Sequence, residues 1–273
     1  LDEGDPVTDI SNQEHAVPSR LGVEARYEDD VFTMELAPRP EVLHHGVVRA
    51  SVLIFMVDAI AGITLDQDTS VWTLTTDLSF RMDPVPAPAL VTATNTVLRQ
   101  GRRSGTCAVD LTDQDGRLIA SGAIGFAKVP RREGDPPKPQ VSPQEAARLI
   151  RDRERLERPV REEAAIEVVD AAAGIVEVAV TPSLRNPAGT LQGAMVALIA
   201  ESAAEELASI RLGRPAIVTE LDLRYLAQTG NGPVRTSTRV IGNGAGAPIE
   251  IELRDVGADR LTTHVYARAV PVP

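Results

Sequence analysis

The sequence predicts an α+β chain built twice over, each copy a curved antiparallel sheet around one long central helix. Three observations predict it. Two long apolar segments, residues 47–66 and 194–212, read as buried helices. Each is preceded by two short alternating runs and followed by four, the order of two strands, a helix and an antiparallel meander. The strand after each helix carries the same short pattern, Asp77-Leu78-Ser79-Phe80 and Asp222-Leu223-Arg224-Tyr225. A buried helix needs apolar cover on most faces, and a curved antiparallel sheet supplies it.

The 273 residues are enough for two domains of ordinary size. Acidic residues exceed basic ones by 11. That balance argues against nucleic acid or an anionic membrane as the main partner, so an anionic ligand must find a local basic patch. Cys107 is the single cysteine. It leaves no disulfide framework and no cysteine-rich metal site, and it agrees with a reducing, cytoplasmic setting. No apolar run reaches membrane-spanning length, and no signal peptide is visible.

In chain order, residues 1–20 form an acidic, polar extension in which SNQE (residues 11–14) can cap a helical turn. The first copy, residues 21–129, opens with LGVEARY and DVFTMELAP about a Glu28-Asp29-Asp30 turn. The loop PRPEVLHHG leads to the helix at 47–66. Four strand-like runs follow, separated by Pro84, Pro86 and Pro88, by Gly101, and by the hairpin signal Asp115-Gly116. Residues 130–160 are rich in proline and charge and read as a linker. Within it SPQE (residues 142–145) is a capping box with proline at the first helical position, opening a charged helix to about residue 157. Ala146, Leu149, Ile150 and Leu156 can pack it against a domain. The second copy, residues 161–273, repeats the order: AAIEVVD and GIVEVAVTP, the loop NPAGTLQG, the helix, then four more strands.

The loop and helix of the second copy hold the residues with chemistry. Asn186, Pro187 and Gly189 break the chain ahead of a helix whose apolar positions include Met195, Leu198, Ile199 and Ala203. Glu201 interrupts that pattern. A buried carboxylate is costly unless partnered, so it is either a reacting group or a structural acid paired with an arginine. Glu205 and Glu206 read as a solvated helix end, and His264, alternating on a strand, as packing or surface. No histidine and carboxylate spacing suggests a metal. No elbow motif surrounds Ser51 or Ser202, and no P-loop or dinucleotide fingerprint is present.

The repeat resembles the hotdog fold, and the loop-helix signature resembles the PaaI-type acyl-CoA thioesterases. In that family a loop with Asn and Gly leads to His-Gly-Gly or a Gln variant, with a helical acid nine residues after the His. Asn186, Gly189, Gln192, Gly193 and Glu201 match that pattern, with Ala194 in place of the second Gly. The helices of the two copies align without a gap when Gly46 is laid on Gly193. The first copy then keeps His45 and Gly46 but has Ile54 at the acid position. Asp58 lies one turn further on and, with Gly62, resembles the family's Asp-x-x-x-Gly, a locally shifted register. The resemblance implies two hotdog domains in tandem, paired as an internal pseudo-dimer. Composite sites then form between the copies, one joining His45 and Gly46 to Glu201, the other joining Asn186, Gln192 and Gly193 to Asp58. The first has the better-placed acid on this alignment and the second the better loop, so unequal sites are expected.

Thioester hydrolysis needs donors for the developing oxyanion, which a helix start and close-approach glycines supply, and a carboxylate to activate water or to attack. Arg99, Arg102 and Arg103, with Arg235 and Arg239, are the candidate contacts for the phosphates of coenzyme A, which enters as part of the substrate and not as a cofactor. They read equally as solvated strand-end arginines. The expected activity is an acyl-CoA thioesterase. The alternatives are a tandem protein that holds acyl-CoA or a partner without hydrolysis, and a hydratase on the same fold. The hydratase loop Asp…Asn-Pro-x-His is absent, since Ala188 and Gly189 follow Pro187. Pairing of two chains would give a homodimer of four hotdog domains.

Overall fold

The computed structural model describes residues 15–135, 138, 141–150, 153–244 and 246–273. The turn expected at residues 11–14 lies outside them. Twelve strands form one antiparallel sheet. From the first half come β1 (Val23–Glu28), β2 (Val31–Leu36), β5 (Val71–Met82), β6 (Val91–Gln100), β7 (Ser104–Asp113) and β8 (Leu118–Pro130). From the second come β9 (Glu167–Asp170), β10 (Ile175–Val178), β11 (Ala216–Tyr225), β12 (Val234–Val240), β13 (Ile249–Asp255) and β14 (Arg260–Pro271). Their order across the sheet is β1-β2-β6-β7-β8-β5-β11-β14-β13-β12-β10-β9. Reading outward from the β5–β11 seam, each half lists its strands in the same relative order. The seam register repeats the relation: Leu78 faces Leu223, Asp77 faces Arg224 and Ser79 faces Asp222. The two copies of the Asp-Leu pattern thus meet about a local two-fold centre.

Two helices carry the core. α1 (Ala50–Leu65) and α4 (Gly193–Leu212) pack against each other and each against the strands of its own half. One hydrophobic cluster includes Leu53, Met56 and Ile60 of α1, Leu198 and Ile199 of α4, and Leu78, Phe80 and Leu223 at the seam. α1 is apolar nearly all round, as a helix wrapped by sheet must be. Its one half-buried stripe, Phe55, Asp58, Ala59, Gly62 and Ile63, follows helical spacing and faces a cavity.

The first helix starts three residues later than its apolar run. Val47–Val48 (β4) pairs with Leu43–His44 (β3), and His45 and Gly46 form the two-residue turn between them, with φ of 49° and 80°. Two positive φ values mark a tight hairpin turn whose twist suits antiparallel strands, and glycine adopts one without strain. His45-Gly46 is therefore a hairpin and not a helix tip. The gapless alignment of Gly46 on Gly193 is corrected: the helix starts equate Arg49 with Gln192 and Ala50 with Gly193. Asp58 then equates with Glu201, each eight residues past its helix start, which is the shifted register.

The linker also differs from expectation. The capping box is formed, Ser142 Oγ accepting from Glu145 N and the Glu145 carboxylate from Ser142 N, but its helix, α2 (Pro143–Leu149), stops well short of residue 157. Ala25 N donates to Ile150 O at 3.2 Å and Leu156 N to Arg20 O at 3.0 Å, so the linker runs back along the first half instead. A single short turn, α3 (Val160–Glu163), precedes β9.

Candidate active site

Helix starts leave backbone N–H groups without intrahelical partners, so their satisfaction is an accounting question. The two starts are satisfied in opposite ways. At α4, Gln192 caps its own helix: its Oε1 accepts from Ala194 N at 2.6 Å and Met195 N at 3.2 Å. Its amide nitrogen donates across the helix pair to Asp58 Oδ2 at 3.1 Å. Thr75 Oγ1 on β5 donates to Asp58 Oδ1 at 2.8 Å. Tyr225 donates its hydroxyl to Gly193 O at 3.1 Å. A Cβ on Gly193 would lie 3.4 Å from both Asp58 Oδ2 and Tyr225 Oη, so glycine keeps this corner open. Among the described residues Gly193 N–H, the first of the helix, has no acceptor.

These groups sit in the wall of a cavity of about 650 Å³ that also includes Asn186, Thr190 and Thr229. Burial pushes the Asp58 carboxyl above its ordinary range, partly offset by the Thr75 hydrogen bond. Burial, then the nearby Asp58 charge, push the Tyr225 phenol well up. Asn186 Oδ1 accepts from Thr190 N at 3.2 Å and Thr190 Oγ1 at 3.3 Å, so it shapes the loop as a turn residue while lining the cavity. Asp255 holds the facing loop, accepting from Gly230 N, Asn231 N and Gly232 N.

At α1 the cap comes from the other helix. Glu201 Oε1 accepts from Ala50 N at 2.8 Å, and its Oε2 accepts from Ser51 N at 3.3 Å and Ser51 Oγ at 2.5 Å. A carboxylate at a helix N-terminus also meets the favourable end of the dipole. Arg49 Nη1 lies 3.9 Å from Glu201 and donates to Glu205 Oε2 at 2.9 Å. Arg49 Nη2 approaches His44 Nδ1 at 3.2 Å. Burial, then the Glu205 charge, raise the Glu201 carboxyl above its usual range, while Arg49 and Ser51 oppose the rise. Burial likewise raises Glu205, opposed by Arg49. Burial and Arg49 hold His44 down at about 4, so its ring is neutral near pH 7.

Glu201 therefore reaches the start of the earlier helix, but at Ala50 and Ser51 rather than Gly46, and with its carboxylate fully enclosed. It lines neither the cavity of about 650 Å³ nor a smaller cleft by His44 and Glu205. The cleft beside it, about 460 Å³, is walled by His44, His45, Glu205 and Arg161. His45 is exposed there, and the exposed Gly46 spends its carbonyl on Ala87 N at 2.8 Å. The solvated helix end expected at Glu205 is corrected. Glu205 is 2% exposed, because a turn of α4 carries it inward with Glu201 to meet Arg49. Glu206 turns outward to pair with Arg161 at 2.6 Å. His264 bonds Glu250 at 3.0 Å and stacks edge-on to Tyr266.

Arg99, Arg102, Arg103 and Arg235 are exposed and line neither cavity. Arg235 is paired with Glu177 at 2.6 Å, and Arg239 with Glu250. Sequence reasoning did not single out Thr75, whose place two residues before the repeated Asp77 was the only available signal. Tyr225 was visible as part of the repeated pattern, without a role.

No protein-family model and no curated protein matches the chain. Solved structures do. A candidate thioesterase II from Thermobifida fusca superposes with a TM-score of 0.63 at 18% identity, covering 93% of this chain and 96% of that one. An acyl-ACP thioesterase from Bacteroides thetaiotaomicron gives 0.58 at 15%, covering 87% and 97%. A tesB protein from Mycobacterium avium subsp. paratuberculosis gives 0.60 at 12%, covering 94% and 98%. At such identities the likeness is one of fold: the chain shares, over nearly its whole length, the hotdog-type architecture of these structures.

Proposed function

We propose that the chain is a thioester hydrolase of tandem hotdog build, with one working site between its halves. Asp58 and Thr75 come from the first half and Gln192 and Gly193 from the second. The observation that carries the reading is the convergence on the large cavity of a carboxylate, two side-chain donors that orient it and the bare first N–H of a helix. The names of the structural neighbours agree with it, two of them being called thioesterases.

Asp58 acts on a water held between its free lone pairs and the Gln192 amide. The carboxylate takes a proton as the water oxygen bonds to the thioester carbon. The carbonyl oxygen becomes an oxyanion against Gly193 N–H, where the helix dipole favours negative charge. Collapse breaks the carbon–sulfur bond, and the proton held by Asp58 passes to the leaving thiolate. The carboxylate can alternatively attack directly, expelling the thiolate to give a mixed anhydride; in single-turnover hydrolysis in ¹⁸O-water label in Asp58 marks that route, whereas label only in the product arises from the water route or from water attack on the anhydride's acyl carbonyl. The substrate is an acyl group on a pantetheine thiol, as in coenzyme A or an acyl carrier protein. Glu201 keeps the other helix start closed, so the second pseudo-equivalent site is structural.

The test compares Asp58→Asn with Glu201→Gln on acyl-CoA and acyl-pantetheine thioesters, following thiol release. Asp58→Asn lowers kcat/KM by about 10²–10⁴-fold, the usual worth of a positioned base. Glu201→Gln changes stability and leaves the rate within a few-fold. The reverse ranking would move the active site to α1 and sink the assignment.

A further inference from the structure

The cavity continues past Asp58 along the half-buried stripe of α1 into an apolar lobe. Its wall comprises Phe55, Ala59 and Ile63 of α1, Val129 of β8, and Val141 and Ile150 of the linker. Gly62 opens on this lobe, and a Cβ built on it meets nothing within 4 Å. Asp66, which caps the far end of α1 from Asp58, and Lys138 are also in the cavity's wall. The Lys138 ammonium donates to Asp66 Oδ1 at 2.5 Å, Asp68 O at 2.8 Å and Val71 O at 2.7 Å. Three donors meet three acceptors, and the side chain is 2% exposed, so no positive charge is left for a ligand. Lys138 is thus tied to the C-terminal end of α1 and to the start of β5, its ammonium 6.0 Å from the Trp72 ring centre.

We propose that the lobe is the acyl slot and that the linker, clasped at Lys138–Asp66, sets the length of chain it takes. This rests on the reading of Asp58 as the reacting end. Asp58 stands on α1 and Asp66 caps its C-terminal end eight residues on, about 12 Å at 1.5 Å per residue. At about 1.3 Å per methylene, from a carbon–carbon bond near 1.5 Å, that spans about nine carbons. The substrate class is a medium-chain acyl thioester, and chains much longer meet the clasp. Gly62 is small because a side chain there fills the slot.

The experiment measures kcat/KM for butyryl-, octanoyl-, decanoyl- and palmitoyl-CoA, and calorimetric binding of the matching free fatty acids, which needs no hydrolysis. It uses the full chain, Gly62→Leu and Lys138→Met, each checked for native circular dichroism. The native protein peaks at octanoyl or decanoyl. Gly62→Leu lowers the decanoyl-to-butyryl ratio at least about tenfold, and Lys138→Met raises the palmitoyl-to-decanoyl ratio by a similar factor, as expected when a hydrophobic pocket gains or loses a few methylenes of room. Hydrolysis with a flat chain-length profile, or with ratios that neither variant moves, overturns the slot. Absent hydrolysis with fatty-acid binding in the same chain-length order keeps the slot and removes the thioesterase reading. Absent hydrolysis with binding indifferent to chain length overturns both.

Discussion

Asp58 shows how one carboxylate is tuned by its neighbours. Burial favours its neutral form, while Thr75 and Gln192 donate to the charged form and hold it in one orientation. In the proposed mechanism Asp58 is a base and must be ionised, so the acid limb of kcat/KM should rise with pH through a value above the ordinary aspartate range. Thr75→Val removes the donor that lowers that value. The limb should move to higher pH, with kcat at its plateau reduced about tenfold or less. A pH–rate profile checks this, and an unmoved limb would mean that Asp58 is not the titrating group. Gly193 has a similarly local reason, because any Cβ would stand between Asp58 and the Tyr225 hydroxyl.

Among the elements, the two central helices differ chiefly in who caps them. α4 is capped by its own Gln192, while α1 has Arg49 at that position and takes its cap from Glu201. Arg49 is 5% exposed and is held by Glu205. Glu205→Ala leaves that guanidinium without its main partner and should cost about 3–5 kcal/mol in denaturant unfolding, the usual penalty for breaking a buried pair. Glu205→Leu with Arg49→Met should cost much less, since both charges leave together. The pair Glu201 and Glu205 also predicts a pH dependence. Both carboxyls titrate higher when folded than when unfolded. The native state thus binds more protons between the ordinary value, 4.5, and the raised ones, and their contribution to stability is lost as pH rises through that window. Glu201→Gln should flatten this slope, which denaturation at a series of pH values would show.

At the scale of the molecule, the halves share one sheet and one core. Phe80 and Leu221 face each other across the β5–β11 seam with no exposed surface, so neither half keeps its core closed alone. Heat should therefore unfold the chain in a single cooperative transition, and two resolved calorimetric peaks would contradict it. The proposed site between the halves has the same origin. Asp58 and Gln192 are 134 residues apart in sequence and meet only because α1 and α4 pack side by side.

The duplicated order of elements was legible in the sequence because it rests on local signals: apolar periodicity, turn residues and the repeated Asp-Leu pattern before Phe80 and Tyr225. Asn186, Gln192, Gly193 and Asp58 entered as candidates through the resemblance of the loop and helix to the PaaI-type signature. The helix start in the first half was not legible. His45-Gly46 can serve a helix tip or a hairpin equally well, and only pairing of Val47–Val48 with Leu43–His44 decided for the hairpin. That choice shifts the register by four residues, makes Asp58 the counterpart of Glu201, and leaves Arg49 to draw Glu205 inward. Side-chain identity and spacing determined which acids stand on the helices. Which of them faces a cavity and which is enclosed was decided by the packing of the two helices, because burial and partner charge depend on contacts far apart in the chain.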